Sequence, residues 1–222
     1  MKNLIYCLII MCTGCQAVSL GDVSKVLVPV NIGAAYFGTI GLHELGHAGT
    51  ALTLGSDRVS VDMLPIRDSE GQFHLGLTTA ESTGWSKSDE TLFLTMGPTA
   101  SFIGHMGCRE LLKSGAVFRP LQPTVAWLSF GNQMAFYFHV GAGLARIEST
   151  DLGKEEMWIS GVMLLGGITY DIYDLAKDQG KNFKVMFGEE FYKDEDEDDE
   201  FHIRPVSAPL PGGGYLGFRV EW

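Results

Sequence analysis

The stretch that decides the fold is Gly41-Leu-His-Glu-Leu-Gly-His-Ala48, which places His43, Glu44 and His47 inside a long apolar segment. Residues four apart on an α-helix share a face one turn apart, so the two imidazoles can face one metal ion. The glutamate then projects beside the metal, where its carboxylate can accept a proton from water. Ionisable groups inside an apolar helix are costly, so this motif predicts a metal site.

Four apolar segments predict a helical domain over residues 22–178. Glu44 is the only charged residue between Val26 and Gly55, 18 residues are uncharged from Thr91 to Cys108, and 25 are uncharged from Leu121 to Ala145. The fourth segment, Met157 to Tyr170, is shorter. Because a membrane helix needs about 20 apolar residues, we expect a mainly α-helical, polytopic membrane domain of about four helices. The alternative is a soluble domain whose helices are unusually buried.

The region between the first two segments, residues 56–88, has a different pattern. Apolar and polar residues alternate from Arg58 to Pro65 and again from Gln72 to Thr79, on either side of an Asp68–Gly71 turn. Alternation on both sides of a glycine-containing turn predicts a β-hairpin inserted into the helical domain.

Residues 1–15 have the pattern of a secretory leader, with one lysine, an apolar stretch and then small residues. Cys12-Thr-Gly-Cys15 is similar to the cleavage site of bacterial lipoproteins, with Cys15 as the lipid-bearing residue. The alternative is a short apolar leader or anchor with incidental cysteines. We therefore expect a bacterial, multi-pass membrane protein with an N-terminal lipid anchor, and no disulfide framework.

The formal net charge of −11 comes mainly from residues 189–200, nine of which are acidic. This tract predicts a solvated linker. An acidic chain offers no basic patch to displace counterions, so nucleic acid is not an expected partner. In the last segment, residues 201–222, apolar and polar side chains alternate from Gly212 to Trp222 and predict a short C-terminal strand, which could add to the hairpin.

The order of these features resembles the site-2 protease family of intramembrane zinc metalloproteases. The stretch Gly41–Ala48 is similar to the zinc helix of that family, and Gly55, Val59 and Val61 are similar to its exit into a β-hairpin. Met96-Gly-Pro-Thr-Ala100 is similar to the small-Gly-Pro motif that opens the next helix. The resemblance covers residues 26–155 at most.

The resemblance implies a zinc cofactor bound by His43 and His47, with Glu44 as the catalytic base. The third ligand of the family is an aspartate of an Asp-Gly pair, and the nearest match here is Asp151, followed by Leu152 and Gly153. Counting membrane crossings also places Asp151 near the depth of the histidines. His139 lies at a matching depth and is the alternative ligand. Other rivals are Glu148, Asp171 and Asp174.

The resemblance also suggests residues that position the substrate. Gly97 and Pro98 belong to the small-Gly-Pro motif, and Asn132 corresponds to the asparagine of an Asn-x-x-Pro stretch, although the proline is missing here. Asn132 is equally compatible with a packing amide. We expect His105 to make an interhelical hydrogen bond and His74 to face solvent.

These predictions combine into a zinc-dependent endopeptidase that cleaves membrane-associated protein or peptide substrates with an activated water. Two alternatives stay open at this point. One is a lipid-anchored soluble zinc peptidase, and the other is a non-catalytic membrane scaffold that retains a zinc site. The sequence names neither the substrate nor the membrane topology.

Overall fold

The computed structural model describes residues 20–68, 71, 73–81, 83–145, 151–192, 202–210 and 213–221, and the side chains of 26–68, 71, 73–81, 83–144 and 158–192. The described residues are mainly helical and include three small two-stranded sheets. The long helices are α1 (Leu20–Thr53), α2 (Lys87–Lys113), α3 (Gln122–Ala145) and α4 (Asp151–Asp178), followed by the short α5 (Lys181–Met186).

Local sequence signals set the ends of the first two long helices. Beyond α1, the Gly55 N–H bonds to the carbonyl of Leu52 and the Ser56 N–H to that of Ala51, with Gly55 at a φ of 83°. That pair of bonds is a Schellman motif, which needs a residue that tolerates positive φ. At the start of α2, Ser86 and Asp89 form a reciprocal capping box.

The long helices pack closely because glycines lie at their contacts. A side chain at Gly46 of α1 would come within 2.5 Å of the Met96 carbonyl oxygen on α2. A side chain at Gly131 of α3 would come within 2.5 Å of the Thr39 hydroxyl on α1. Small residues at such contacts let two helix backbones approach and position side chains from three helices around a common point.

The predicted hairpin is confirmed between α1 and α2. Strand β1 (Val59–Asp62) pairs antiparallel with β4 (Leu77–Ala80), with Val59 opposite Ala80. Farther out, β2 (Ile66–Arg67) pairs with β3 (Phe73–His74), with Ile66 opposite His74. Three residues separate β1 from β2, and two residues separate β3 from β4. The hydrogen-bonded ladder of the hairpin is therefore interrupted between its two strand pairs, at the point where Gly76 approaches α1.

A buried ion-pair network ties α2 to α4 and to the segment that follows α5. The Arg109 guanidinium donates to Asp174 at 2.7 Å, lies 2.5 Å from Asp178, and donates to the Tyr192 hydroxyl at 2.9 Å. Burial, and then the hydrogen bond to Asp178, raise the pKa of Tyr192 above its usual value. We call Arg109, Asp174, Asp178 and Tyr192 the arginine network.

The first residues of the acidic tract are held by contacts with neighbouring elements and are not a free linker. Glu190 forms ion pairs with Lys184 at 3.0 Å and with Lys181 at 3.7 Å, and Tyr192 belongs to a small hydrophobic core with Leu112 and Met186. Residues 193–200, the rest of the predicted linker, lie outside the described residues.

The C-terminal region differs from the single strand that we expected. Strand β5 (His202–Leu210) pairs antiparallel with β6 (Gly213–Glu221), so these residues form a hairpin of their own and are not paired with β1–β4. Pro205 and Pro209 obscure the first strand in the sequence, because proline normally argues against a strand assignment. The predicted leader and Cys15 lie outside the described residues.

One helix of the described part is long and apolar enough to cross a membrane, namely α1 over Val26–Thr53, with a mean hydropathy of 1.3. A signal sequence near the N-terminus would satisfy the same criterion of length and composition. The sequence had suggested three or four such helices. The other three long helices include polar residues such as His105, Asn132 and Asp171, which lower their average hydropathy.

Candidate metal centre

Three histidines from two helices converge between α1 and α3. His43 and His47 lie one turn apart on α1, and His139 comes from the C-terminal half of α3. Their ligand atoms all lie within 4.8 Å of one another. His43 and His47 are buried, and His139 is half-buried. We call His43, His47 and His139 the histidine cluster.

Hydrogen bonds orient the two α1 imidazoles. His47 Nδ1 lies 2.6 Å from the carbonyl oxygen of Phe93, and because a carbonyl only accepts, Nδ1 carries the proton. In the neutral ring Nε2 then presents a lone pair. His43 Nδ1 lies 3.0 Å from the Ser101 hydroxyl. Both partners belong to α2, so that helix fixes the rings from behind, which is the usual arrangement around a histidine ligand.

The spacing of His43 and His47 fits two ligands of a tetrahedral metal ion. The Nε2 atoms of His43 and His47 are 3.2 Å apart. Two imidazole nitrogens about 2.05 Å from a tetrahedral zinc lie about 3.3 Å from each other. The ring of His139 is 5.1 Å from that of His43 and 5.8 Å from that of His47, measured between centroids. Three imidazoles of this kind can hold a metal and leave its fourth position open.

Glu44 lies beside the cluster and is held by the hairpin. The Thr78 hydroxyl of β4 donates to Glu44 Oε2 at 2.7 Å and also lies 3.1 Å from the Glu44 carbonyl oxygen. A side chain at Gly76 would come within 3.0 Å of Glu44 Oε1, so this glycine leaves room for the carboxylate. The carboxylate is therefore buried, oriented by one donor, and adjacent to the predicted metal position.

A cavity of about 490 Å³ opens at this point between α1, α3 and the hairpin. Its polar wall contains His43, Glu44, His139 and, from the hairpin, His74. The remaining wall is mostly apolar. It includes Tyr36, Ile40, Phe73, Leu75, Met134 and Phe138.

The two ligand candidates from the sequence fare differently. His139, the alternative, is brought to the histidine pair. Asp151 is the first residue of α4, but its side chain lies outside the described part, so its role as a ligand stays a prediction. Asp171 is occupied elsewhere, because it accepts hydrogen bonds from Gln133 and Tyr137 and lies 3.1 Å from His105. The expected interhelical hydrogen bond of His105 is thus confirmed.

The predicted substrate-positioning residues Gly97, Pro98 and Asn132 do not line the cavity. Gly97 packs directly against the His47 ring, where any side chain would overlap the imidazole. Gly97 and Pro98 lie inside α2, ten residues after its start, and not at the helix opening that the family motif implies. Asn132 is fully buried, donates to the Leu128 carbonyl at 2.9 Å, and packs near Gly104.

Several residues of the site were not identified from the sequence. Ser101 and Thr78 carry no distinctive local pattern, because hydroxyl residues are common in close helix and strand contacts. His74 was expected to face solvent, but it lines the cavity and pairs with Asp68 at 2.8 Å. The strand register, which places His74 opposite Ile66, became known only from the structure.

Comparisons with known proteins supply no relative. No family model matches the chain, and no curated protein or solved structure matches it. The function must therefore be argued from the site.

Proposed function

We propose that this protein is a membrane-embedded, zinc-dependent endopeptidase that hydrolyses peptide bonds of membrane-associated proteins. The observation that carries the proposal is the pairing of a histidine cluster, whose His47 lone pair is directed by the Phe93 carbonyl, with a hairpin-held Glu44 on the wall of one cavity. The order of motifs resembling the site-2 protease family supports the same reaction class.

The division of labour follows from the positions of the side chains. A bound zinc ion would act as a Lewis acid and would lower the pKa of water toward ~7. His43, His47 and His139 would hold the ion, and Ser101 and the Phe93 carbonyl would keep two of these rings in place. Glu44 would accept the proton of the attacking water at its carboxylate and deliver it to the leaving amine nitrogen.

The placement of Glu44 suits this role. Thr78 binds one carboxylate oxygen, Oε2, and a single donor leaves acceptor capacity for a water proton. Three neutral ligands would leave the full positive charge of the metal beside Glu44. That charge favours the ionised carboxylate, which is the form that a base requires.

We propose that the four long helices lie together in the membrane, because polar side chains are buried between them and large apolar side chains face outward. A water-soluble bundle has the reverse arrangement. Polar side chains such as Ser101, His105, Ser129 and Asn132 are buried between the helices. Only 28% of the most apolar part of α1 is buried, whereas a helix in the core of a soluble protein is mostly buried.

The outer faces of two helices carry large apolar side chains at helical spacing. Contiguous exposed apolar surface of this kind indicates contact with lipid or with another apolar partner. The stripes consist of Val26, Val30, Leu45 and Leu52 on α1, and Trp158, Val162, Leu165 and Ile172 on α4, each between 62% and 76% exposed.

The central experiment compares wild-type protein with Glu44→Gln. Both should bind zinc at one equivalent in elemental analysis, because the substitution leaves the histidine cluster intact. Only the wild type should cleave single-span membrane peptides in detergent micelles, with a loss in Glu44→Gln of at least about 10²–10⁴ in rate. Equal cleavage by both proteins would refute Glu44 as the base. Bound zinc without cleavage of any peptide would favour a non-catalytic scaffold.

The membrane assignment has its own test. Alkaline carbonate extraction of cells that express the full chain should leave the protein in the membrane pellet. Release of the leader-less chain into a detergent-free soluble fraction would contradict this part of the proposal and favour a soluble peptidase.

A further inference from the structure

A second ionisable side chain, His74, faces the cavity from the hairpin and is paired with Asp68. His74 Nε2 lies 2.8 Å from Asp68 Oδ2, and both side chains are partly buried, with exposures of 29% and 23%. His74 lies on β3 and Asp68 follows β2, so the short outer ladder of the hairpin holds the two groups together. The mechanism above does not use this pair.

The hairpin brings His74 close to Glu44. Gly76 lies in contact range of the Glu44 carboxylate. His74 is two residues before Gly76 in the chain, so the Cα atoms of His74 and Gly76 are at most about 7 Å apart. His74 and Glu44 both line the cavity and are near enough to interact electrostatically. The Tyr36 hydroxyl fixes the intervening backbone, because it donates to the Leu75 carbonyl at 2.8 Å.

We propose, on the basis of the proposed function, that His74 is a catalytic residue that donates a hydrogen bond to the scissile carbonyl oxygen as that oxygen becomes negatively charged. In the doubly protonated ring, Nε2–H is committed to Asp68 and Nδ1–H remains for a ligand. Asp68 thus orients His74, as a carboxylate orients the histidine of a hydrolytic triad.

The balanced reaction places each proton. The oxygen of water forms a bond to the carbonyl carbon, the π electron pair of the carbonyl moves to its oxygen, and the water proton passes to Glu44. His74 stays protonated and donates to the new oxyanion. On collapse, the C=O bond reforms, the C–N bond breaks, and Glu44 returns its proton to the amine nitrogen. A preorganised donor at a developing oxyanion is worth about 10²–10³ in kcat.

The apolar remainder of the cavity defines the substrate class at this position. Tyr36, Phe73 and Leu75 lie on the hairpin side, and Met134 and Phe138 lie on the α3 side. A peptide whose carbonyl approaches His74 would place its neighbouring side chain among these groups. The site therefore suits an extended peptide with a large apolar residue beside the scissile bond.

The test uses the full chain loaded with zinc and compares the wild type with His74→Gln and Asp68→Asn. Arg58→Gln, at an exposed hairpin ion pair outside the cavity, is the control. We measure zinc content, kcat and KM for an apolar peptide that the wild type cleaves, and the Kd of the phosphinic analogue of that peptide, which mimics the tetrahedral intermediate without being cleaved.

We expect His74→Gln to keep its zinc and its KM, to lose about 10²–10³ in kcat, and to bind the phosphinic peptide more weakly by a similar factor. Asp68→Asn should show a smaller loss in the same direction, and Arg58→Gln should match the wild type. Unchanged kcat and Kd in His74→Gln would overturn this proposal alone. A parallel loss of zinc or rise in KM would make His74 structural and also overturn it. A wild-type protein without turnover would overturn both proposals.

Discussion

The histidine cluster and the arginine network are both polar and mostly buried, and both contain side chains of the long helices, yet they differ in what their polar groups face. In the arginine network each charged group has an opposite charge or a hydroxyl within hydrogen-bond distance, and Arg109 is 2% exposed. In the histidine cluster, two Nε2 atoms face each other at 3.2 Å beside a cavity.

The difference separates a structural network from a binding site. A network whose donors and acceptors are matched has little capacity left for a ligand, and it fixes the relative positions of helices. Imidazole nitrogens from two helices that converge beside a cavity can instead bind a metal ion, with their rings oriented by outer hydrogen bonds. The following predictions test this contrast.

The largest expected effect is the loss of metal from the histidine cluster. His139→Ala should reduce zinc affinity by more than the 10–100-fold that is typical for losing an outer-shell partner, because a ligand itself is removed. Titration with a competing chelator would measure the change. Asp151→Ala, the sequence-based candidate, is run in parallel. If Asp151→Ala releases zinc and His139→Ala retains it, the cluster is not the ligand set.

A pair of glycines on α2 tests the close packing behind His47. Gly97→Ala should displace the His47 ring and abolish stoichiometric zinc binding, because its methyl group would overlap the imidazole. Gly107→Ala, in the same helix, meets nothing within 4 Å and should bind zinc like the wild type. Zinc content after gel filtration provides the measurement. Equal zinc in the two variants would contradict the packing described here.

The arginine network should respond in stability and not in metal binding. Arg109→Ala leaves Asp178 without its buried cation and Asp174 with Lys113 alone, which costs about 3–5 kcal/mol of unfolding free energy. Thermal or denaturant unfolding in detergent would measure it. Variants that remain folded should keep the zinc affinity of the wild type. A selective loss of zinc at unchanged stability would show that the two regions are coupled.

The smallest expected effect on zinc affinity comes from changing Ser101, the hydrogen-bond partner of His43. Ser101→Ala removes the hydroxyl 3.0 Å from His43 Nδ1 and should lower zinc affinity by about 10–100-fold without changing the ligand set. Ser114→Ala, an exposed serine in the turn after α2, is the matched control and should leave zinc affinity unchanged. Chelator competition again gives the readout, and an unaltered affinity in Ser101→Ala would mean that this hydrogen bond does not orient the ring.

Features that depend on neighbours along the chain were predictable. The four apolar segments became α1 to α4, with ends that extend into polar residues because capping groups such as Ser86 lie outside the apolar run. The alternation around Asp68–Gly71 became the hairpin. The C-terminal hairpin was only half recognised, since two prolines disguise its first strand.

The histidine pair and Glu44 followed from the i, i+4 geometry of a single helix, which is a local property of the sequence. The contacts that complete the site join residues far apart in the chain: His43 with Ser101, Glu44 with Thr78, and the α1 pair with His139. These pairings depend on which helix faces meet and how closely glycines let them approach. Helical periodicity identifies a face but not its partner, so the sequence offered His139 only as an alternative ligand, and the hairpin side of the cavity emerged from packing.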